Sequence, residues 1–202
     1  MEYTMDQLKD LRDRTGAGIM ACKRALAETS GDVKAAAEIL RKENLAQAAK
    51  REGRVASQGL VESYIHPGGR VGVLLELNCE TDFVARTDDF RDLAHDLAIQ
   101  IAAARPIAVN REGIPALLLE SEQAIYMEQA ANEGKPPEIA RKVAEGRLKK
   151  FFGETVLLEQ VFVRDLDKPQ KRTIQDLMQE KIARLGENIV IRRFSRFELG
   201  SE

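Results

Sequence analysis

The sequence has no tryptophan, two cysteines, two histidines and only 5% aromatic residues in 202. Each scarcity removes a class of chemistry. Cys22 and Cys79 lie far apart and form neither a disulfide framework nor a C-x-x-C pair, so they read as two reduced structural thiols. His66 beside a turn and His95 in a helical stretch cannot assemble a zinc cluster of usual spacing or a Cys/His or Ser/His/Asp set, and both read as structural or surface residues. No metal site, cofactor or catalytic residue is expected. Charge of one sign is also missing: 31 Lys and Arg against 33 Asp and Glu give a formal net charge of −2, which offers no global field to a polyanion. Long hydrophobic runs are absent too. LAIQIAAA and PALLL fall far short of the ~20 residues a bilayer span needs, and the start MEYTMDQLKD has no apolar leader, so a cytoplasmic protein with no membrane contact is expected. There is no G-x-x-x-x-G-K-[ST] loop. GAGIMA, Gly16 to Ala21, fits G-x-G-x-x-A in form only, because it follows a helical stretch and not a strand.

What the chain does contain is 44% hydrophobic and 32% charged residues, a globular composition, at a length that permits one or two domains. Thr4 with Gln7 forms a capping box and Tyr3 with Leu8 a staple, predicting a helix from Met5. Gly16 and Gly18 interrupt it, Ile19, Cys22 and Leu26 form a second helical stripe, and Asp32 caps a third helix with Val33, Ala36, Ala37 and Leu40 on one face, continuing to about Arg51. Residues 1–54 therefore read as a three-helix domain and 55–202 as a second one. From Ala56 the period becomes two: Leu60, Glu62, Tyr64 and Val71, Val73, Leu75, Leu77 flank the turn His66-Pro67-Gly68-Gly69, a β-hairpin. Thr87 caps a helix with Phe90, Leu93, Leu97 and Ile101 on one face, ending before Pro106. Two further helices are expected near Pro115 to Asn132 and Pro137 to Phe152, each with Pro at its first position, and with Gly134 and Gly153 as stops. The run from Val156 to Val163 stays open between strand and short helix. Thr173 can cap a helix with Ile174, Met178, Ile182 and Leu185, and NIVIRRFSRFEL reads as a closing strand. Helices packed around an antiparallel sheet make the fold class α+β.

Carboxylates at Asp88, Asp89 and Asp92 suit a helix N-terminus and need no catalytic explanation. Basic residues at Arg141-Lys142, Arg147 to Lys150, and Arg192, Arg193 and Arg196 interleaved with Phe194 and Phe197 are diluted by Glu138, Glu145 and Glu198, so direct nucleic-acid contact is not expected. Two apolar residues remain that local pattern does not bury. Met20 lies about 100° from Ile19 around the second helix, off its stripe, which makes it a candidate exposed methionine or a packing residue against the following domain. NCETDFVAR, Asn78 to Arg86, forms a strand-to-helix corner at which Thr81 or Asp82 can cap a short turn with Phe83 near its tip. The pattern leaves Phe83 open between a buried structural ring and a protruding anchor.

LKDLRDRTGAGIMACKRAL with SGDV, the corner NCETDFVAR, the stretch AEGRLKKFF and the ending GENIVIRRFSRFELG together resemble the bacterial translation elongation factor Ts family over nearly the whole chain. The resemblance implies a nucleotide-exchange factor for the GTPase elongation factor Tu, with a ubiquitin-associated-like helical domain that docks on the GTPase followed by an α+β core. It implies no catalytic residues and no cofactor. In the family the T-D-F-V segment, here Thr81, Asp82, Phe83 and Val84, is linked to displacement of the GTPase's Mg²⁺, the Phe intruding between partner helices. N-terminal docking falls to apolar residues corresponding to Leu11, Ile19 and Met20. Longer members have two core subdomains and a coiled-coil hairpin; this length leaves room for one subdomain, a form that implies a homodimer. Contact near Arg192 to Phe197 is expected, where Ser195 excludes a covalent thiol link. The alternative from another class is an RNA-associated ribosomal or assembly protein using the basic C-terminal strand.

Overall fold

The computed structural model describes residues 3–134 and 136–201. Among them, eight α-helices and three strands follow in the order α1 Met5–Thr15, α2 Ile19–Glu28, α3 Val33–Ala49, β1 Gln58–Ile65, β2 Val71–Cys79, α4 Asp82–Ala85, α5 Asp88–Ala104, α6 Ala116–Asn132, α7 Pro137–Thr155, α8 Ile174–Leu185 and β3 Ile189–Glu198. The strands form one antiparallel sheet in the order β1-β2-β3, so the fold is α+β. Among the described residues no helix is long and apolar enough to cross a membrane.

Local signals start α1 and α3. Thr4 Oγ1 accepts from the Gln7 N–H at 3.2 Å while Gln7 Oε1 accepts from the Thr4 N–H at 2.6 Å, closing the capping box. Asp32 Oδ1 accepts from the N–H groups of Lys34 and Ala35 at 2.9 and 3.0 Å. Gly16, at φ +63°, ends α1 in the left-handed conformation that glycine adopts without steric cost.

The chain divides into two compact units, and the division cuts across the strands and α5. One unit holds residues 1–61, 76–94 and 176–191. Its three N-terminal helices share an apolar cluster of Leu8, Leu11, Cys22, Ala25, Leu26, Ala36, Ala37 and Leu40. In the same unit, Gly59 at φ +145° passes so close to β2 that a Cβ would lie 2.1 Å from the Leu77 carbonyl oxygen. The other unit holds residues 62–75, 95–175 and 192–202, with α6 packed on α7 and an apolar cluster of Ala108, Ile114, Phe152 and Val156.

Three details depart from sequence expectation. Pro115 is the N-cap of α6 and not its first residue, since its ψ of 128° is extended. Gly153 does not stop α7, which runs on to Thr155; glycine at a helical φ only weakens a helix, and no left-handed turn forms there. The segment from Val156 to Val163 is neither strand nor α-helix. It makes a 3-10 turn at Leu157–Glu159 and isolated bridges pairing Val156 with Ala108 and Val161 with Thr173.

Candidate functional site

The corner after β2 is built from a cap, one helical turn and a carboxylate from far along the chain. Thr81 leaves the strand in an extended conformation, φ −125° and ψ 155°, and its hydroxyl accepts from the Val84 N–H at 3.4 Å, capping α4. The four residues of α4 then split by environment. Ala85 is buried, while Phe83 on the opposite side stands 79% exposed. Of the two alternatives for Phe83, the protruding ring is the one found. Asp82 pairs with Arg86 at 2.8 Å, so its charge is answered within the same turn. Val84 is half-buried.

The backbone leading into this turn is tied to Glu187, in the link between α8 and β3. One carboxylate oxygen accepts from the N–H groups of Glu80 and Thr81 at 3.1 and 3.0 Å, and the other accepts from the Thr81 hydroxyl at 2.6 Å. The Cys79 thiol donates to the Thr81 carbonyl at 3.1 Å. Burial, followed by the nearby Glu187 carboxylate, pushes the Cys79 thiol up to about 11, and burial likewise raises Cys22. Both are buried free thiols, and their raised pKa values keep them protonated at neutral pH.

The second locus is the start of α2. Gly18 caps the helix with an extended backbone, so Ile19 and Met20 occupy its first turn. Met20 is 76% exposed. Ile19, expected on the buried stripe, is 46% exposed, because the cluster shared with α1 and α3 begins one turn later at Cys22. Leu11 shows the opposite: at 0% exposure it lies inside that cluster and its side chain offers no surface to a partner.

Elsewhere the candidates from sequence fall into ordinary surface chemistry. His66 Nδ1 lies 3.0 Å from the Tyr64 hydroxyl, and His95 Nδ1 lies 3.0 Å from Glu62 Oε1, all on exposed or half-buried side chains. Arg147 pairs with Glu133, and Arg196 is turned into its own unit, donating to the Ala102 carbonyl at 3.3 and 3.2 Å and to Glu198 at 2.8 Å. Among the described residues no group of three or more His, Cys, Asp or Glu is arranged to hold a metal ion. Reasoning from sequence missed Glu187, which lies 106 residues from Thr81; its only signal is membership in the stretch GENIVIRRFSRFELG.

The family model described as Elongation factor TS matches residues 28–169. Elongation factor Ts of Moorella thermoacetica is 59% identical over 193 residues, covering 96% of this chain and 93% of its own length. Elongation factor Ts of Herpetosiphon aurantiacus is 58% identical over 201 residues and covers both chains fully. That of Syntrophomonas wolfei is 56% identical over 197 residues, 98% of this chain and 90% of its own. With a match over more than half its length and relatives alike from end to end, this chain belongs to the elongation factor Ts family of translation elongation factors.

Proposed function

We propose that the chain is a guanine-nucleotide exchange factor that binds elongation factor Tu in its GDP-bound state and promotes release of GDP, with displacement of Mg²⁺, so that GTP can rebind. It makes and breaks no covalent bond, so it is not an enzyme, and it uses no cofactor. The observation carrying this reading is the Phe83 ring, exposed on a corner whose backbone is fixed by a carboxylate. Aromatic rings are enriched at the centres of protein–protein interfaces, and Phe83 offers such a ring to a partner.

The mechanism is negative coupling. A protein that binds the GTPase better when nucleotide and Mg²⁺ are loosened must weaken nucleotide binding by the same factor. Phe83 supplies the wedge between partner helices, and Thr81, Asp82 and Val84 shape the turn that carries it. Asp82 is a positioning group and not a chelator, since it is already paired with Arg86 and one carboxylate makes a poor Mg²⁺ site. A population shift of about 10⁴ requires roughly 5.5 kcal/mol of differential binding. One aromatic anchor contributes on the order of 2–4 kcal/mol, so further contacts must supply the remainder.

Those contacts are assigned to the N-terminal helices. Residues 1–54 form the docking domain, with Ile19 and Met20 as its apolar contacts and Leu11 holding α1 in place beneath them. Residues 55–202 form the core and the dimerisation domain. The homodimer reading draws support from the open face of the sheet, where Ile65, Leu74, Phe197 and Leu199 are exposed around a shallow apolar depression. The RNA-associated alternative is weakened because Arg196 and Arg147 are spent on partners within the chain. The test is the rate at which fluorescent GDP leaves purified elongation factor Tu. Catalytic amounts of this protein should accelerate release at any moderate salt concentration, and an unchanged rate refutes the reading.

A further inference from the structure

We infer that Glu187 is a positioning residue for nucleotide exchange: its carboxylate fixes the direction in which the Phe83 ring leaves the chain. This rests on the exchange reading above and adds to it the group that holds the wedge in place.

Other contacts also reach that corner: Arg54 pairs with Glu80 at 3.6 Å, and the Thr87 hydroxyl donates to the Val84 carbonyl at 2.8 Å beyond the turn. The strand β2 ends at Cys79 and α4 begins at Asp82, so the trajectory between them is set by Glu80 and Thr81 alone. A helix of four residues has no stability of its own, because one turn does not repay the entropy of nucleation. The Asp82–Arg86 pair lies on the surface, where such pairs contribute little, and a thiol is a weak donor. Glu187 is different in kind. It accepts three hydrogen bonds, from both backbone N–H groups of the linking dipeptide and from the Thr81 hydroxyl. Charge-assisted bonds of this type are the stronger sort. The Thr81 hydroxyl donates to Glu187 and accepts from the Val84 N–H, so the carboxylate's position passes through one side chain into the turn that carries the ring.

The link bearing Glu187 is itself anchored. Glu80 Oε1 accepts from the Asn188 N–H at 2.6 Å, which makes the grip reciprocal. The Asn188 side chain donates to the Arg54 carbonyl at 2.8 Å, and Arg51 Nε donates to the Gly186 carbonyl at 2.9 Å. A ring that is almost wholly in solvent is aimed by its backbone, and this backbone is aimed by Glu187.

Stopped-flow release of fluorescent GDP from elongation factor Tu, over a range of factor concentrations, tests the role in wild type, Glu187→Ala, Phe83→Ala and the double variant. Glu187→Ala should lower the maximum rate about tenfold, within the roughly 10²-fold that misplacing a well-oriented group can cost. The half-saturating concentration should stay within about twofold, because docking by α2 is untouched. In the Phe83→Ala background the same substitution should add nothing, the mark of two residues acting through one contact. Glu187→Gln, which keeps an oxygen for the two backbone N–H groups, should recover most of the rate. An unchanged maximum rate in Glu187→Ala, a change confined to the half-saturating concentration, or an equal loss in both backgrounds overturns the inference. If Glu187→Ala loses its cooperative thermal transition, Thr81→Val carries the test: a lower maximum rate at unchanged half-saturation supports the role, and a wild-type rate overturns it. Failure of the wild-type protein to accelerate release counts against the exchange reading itself. Acceleration lost in Phe83→Ala but kept in Glu187→Ala counts against the clamp alone.

Discussion

Leu11, within α1, and Met20, in the first turn of α2, meet opposite environments, one at 0% and the other at 76% exposure. Their substitutions should therefore separate stability from docking. Leu11→Ala opens a cavity among Leu8, Cys22 and Leu26 and should cost about 2–5 kcal/mol, seen as a lower melting temperature. Met20→Ala removes no buried contact, so its stability should stay within about 0.5 kcal/mol of wild type. Its half-saturating concentration in GDP release should nevertheless rise; a Met20→Ala protein that docks as well as wild type contradicts the assignment of α2 to the interface. Helical periodicity was enough to place Met20 off the buried stripe. It misplaced Ile19, because a residue in a helix's first turn can share the stripe's angle and still extend past the neighbouring helices. Phe83 was undecidable for a related reason: four residues are too few for a period, and its exposure follows from where the corner is tied. That tie comes from Glu187, and no local pattern reports a partner 106 residues away.

At the scale of elements, the helices with local caps were legible and the segment after α7 was not. Thr4, Asp32 and Gly16 act on neighbours within a few residues, so their roles are visible in sequence order. Residues 156–173 are held by partners distant in sequence, through backbone bonds such as Phe162 N–H to the Arg172 carbonyl at 2.9 Å and through side chains. Gln160 donates to the carbonyls of Ala104 and Glu154 at 3.1 and 2.7 Å, and Gln100 donates to Gln160 at 3.1 Å while accepting from the Val163 N–H at 2.8 Å. Two buried glutamines are thus fully employed. The same segment contains Asp165, fully buried and bonded to Arg172 at 2.6 and 3.2 Å and to Lys168 at 2.6 Å. Burial alone would push its carboxyl up, but the hydrogen bonds from Arg172 and Lys168 outweigh it and the pKa is lowered. A depressed folded value means that its stabilisation is complete above the unfolded value of about 3.9 and is lost as the pH falls through the lower folded one. Asp165→Ala, which removes a buried carboxylate together with its bonds to Arg172 and Lys168, should cost about 1.5–3 kcal/mol at neutral pH. Melting temperatures of wild type and variant should converge below about pH 4; parallel curves down to pH 2 contradict the assignment.

For the whole molecule, Ile65, Leu74 and Phe197 lie exposed beside one shallow depression, the surface proposed for a second copy. Phe197→Asp should shift sedimentation from dimer to monomer without loss of helical signal, and a monomeric wild type removes the dimer from the account. The α+β class was readable because the hydrophobic period changes from 3.6 to 2 at Ala56 and back again at Thr87. The division into units was not, since it runs across the strands and α5 and not along the chain. The function proposed at this scale is a coupling between two proteins, centred on one ring at a fixed corner. The most direct measurement is the rate of GDP release from elongation factor Tu at saturating concentrations of wild-type and Phe83→Ala proteins. The account predicts that the variant still saturates but releases GDP at least about tenfold more slowly, the loss of about 1.4 kcal/mol or more of differential binding. A Phe83→Ala protein that releases GDP as fast as wild type contradicts it.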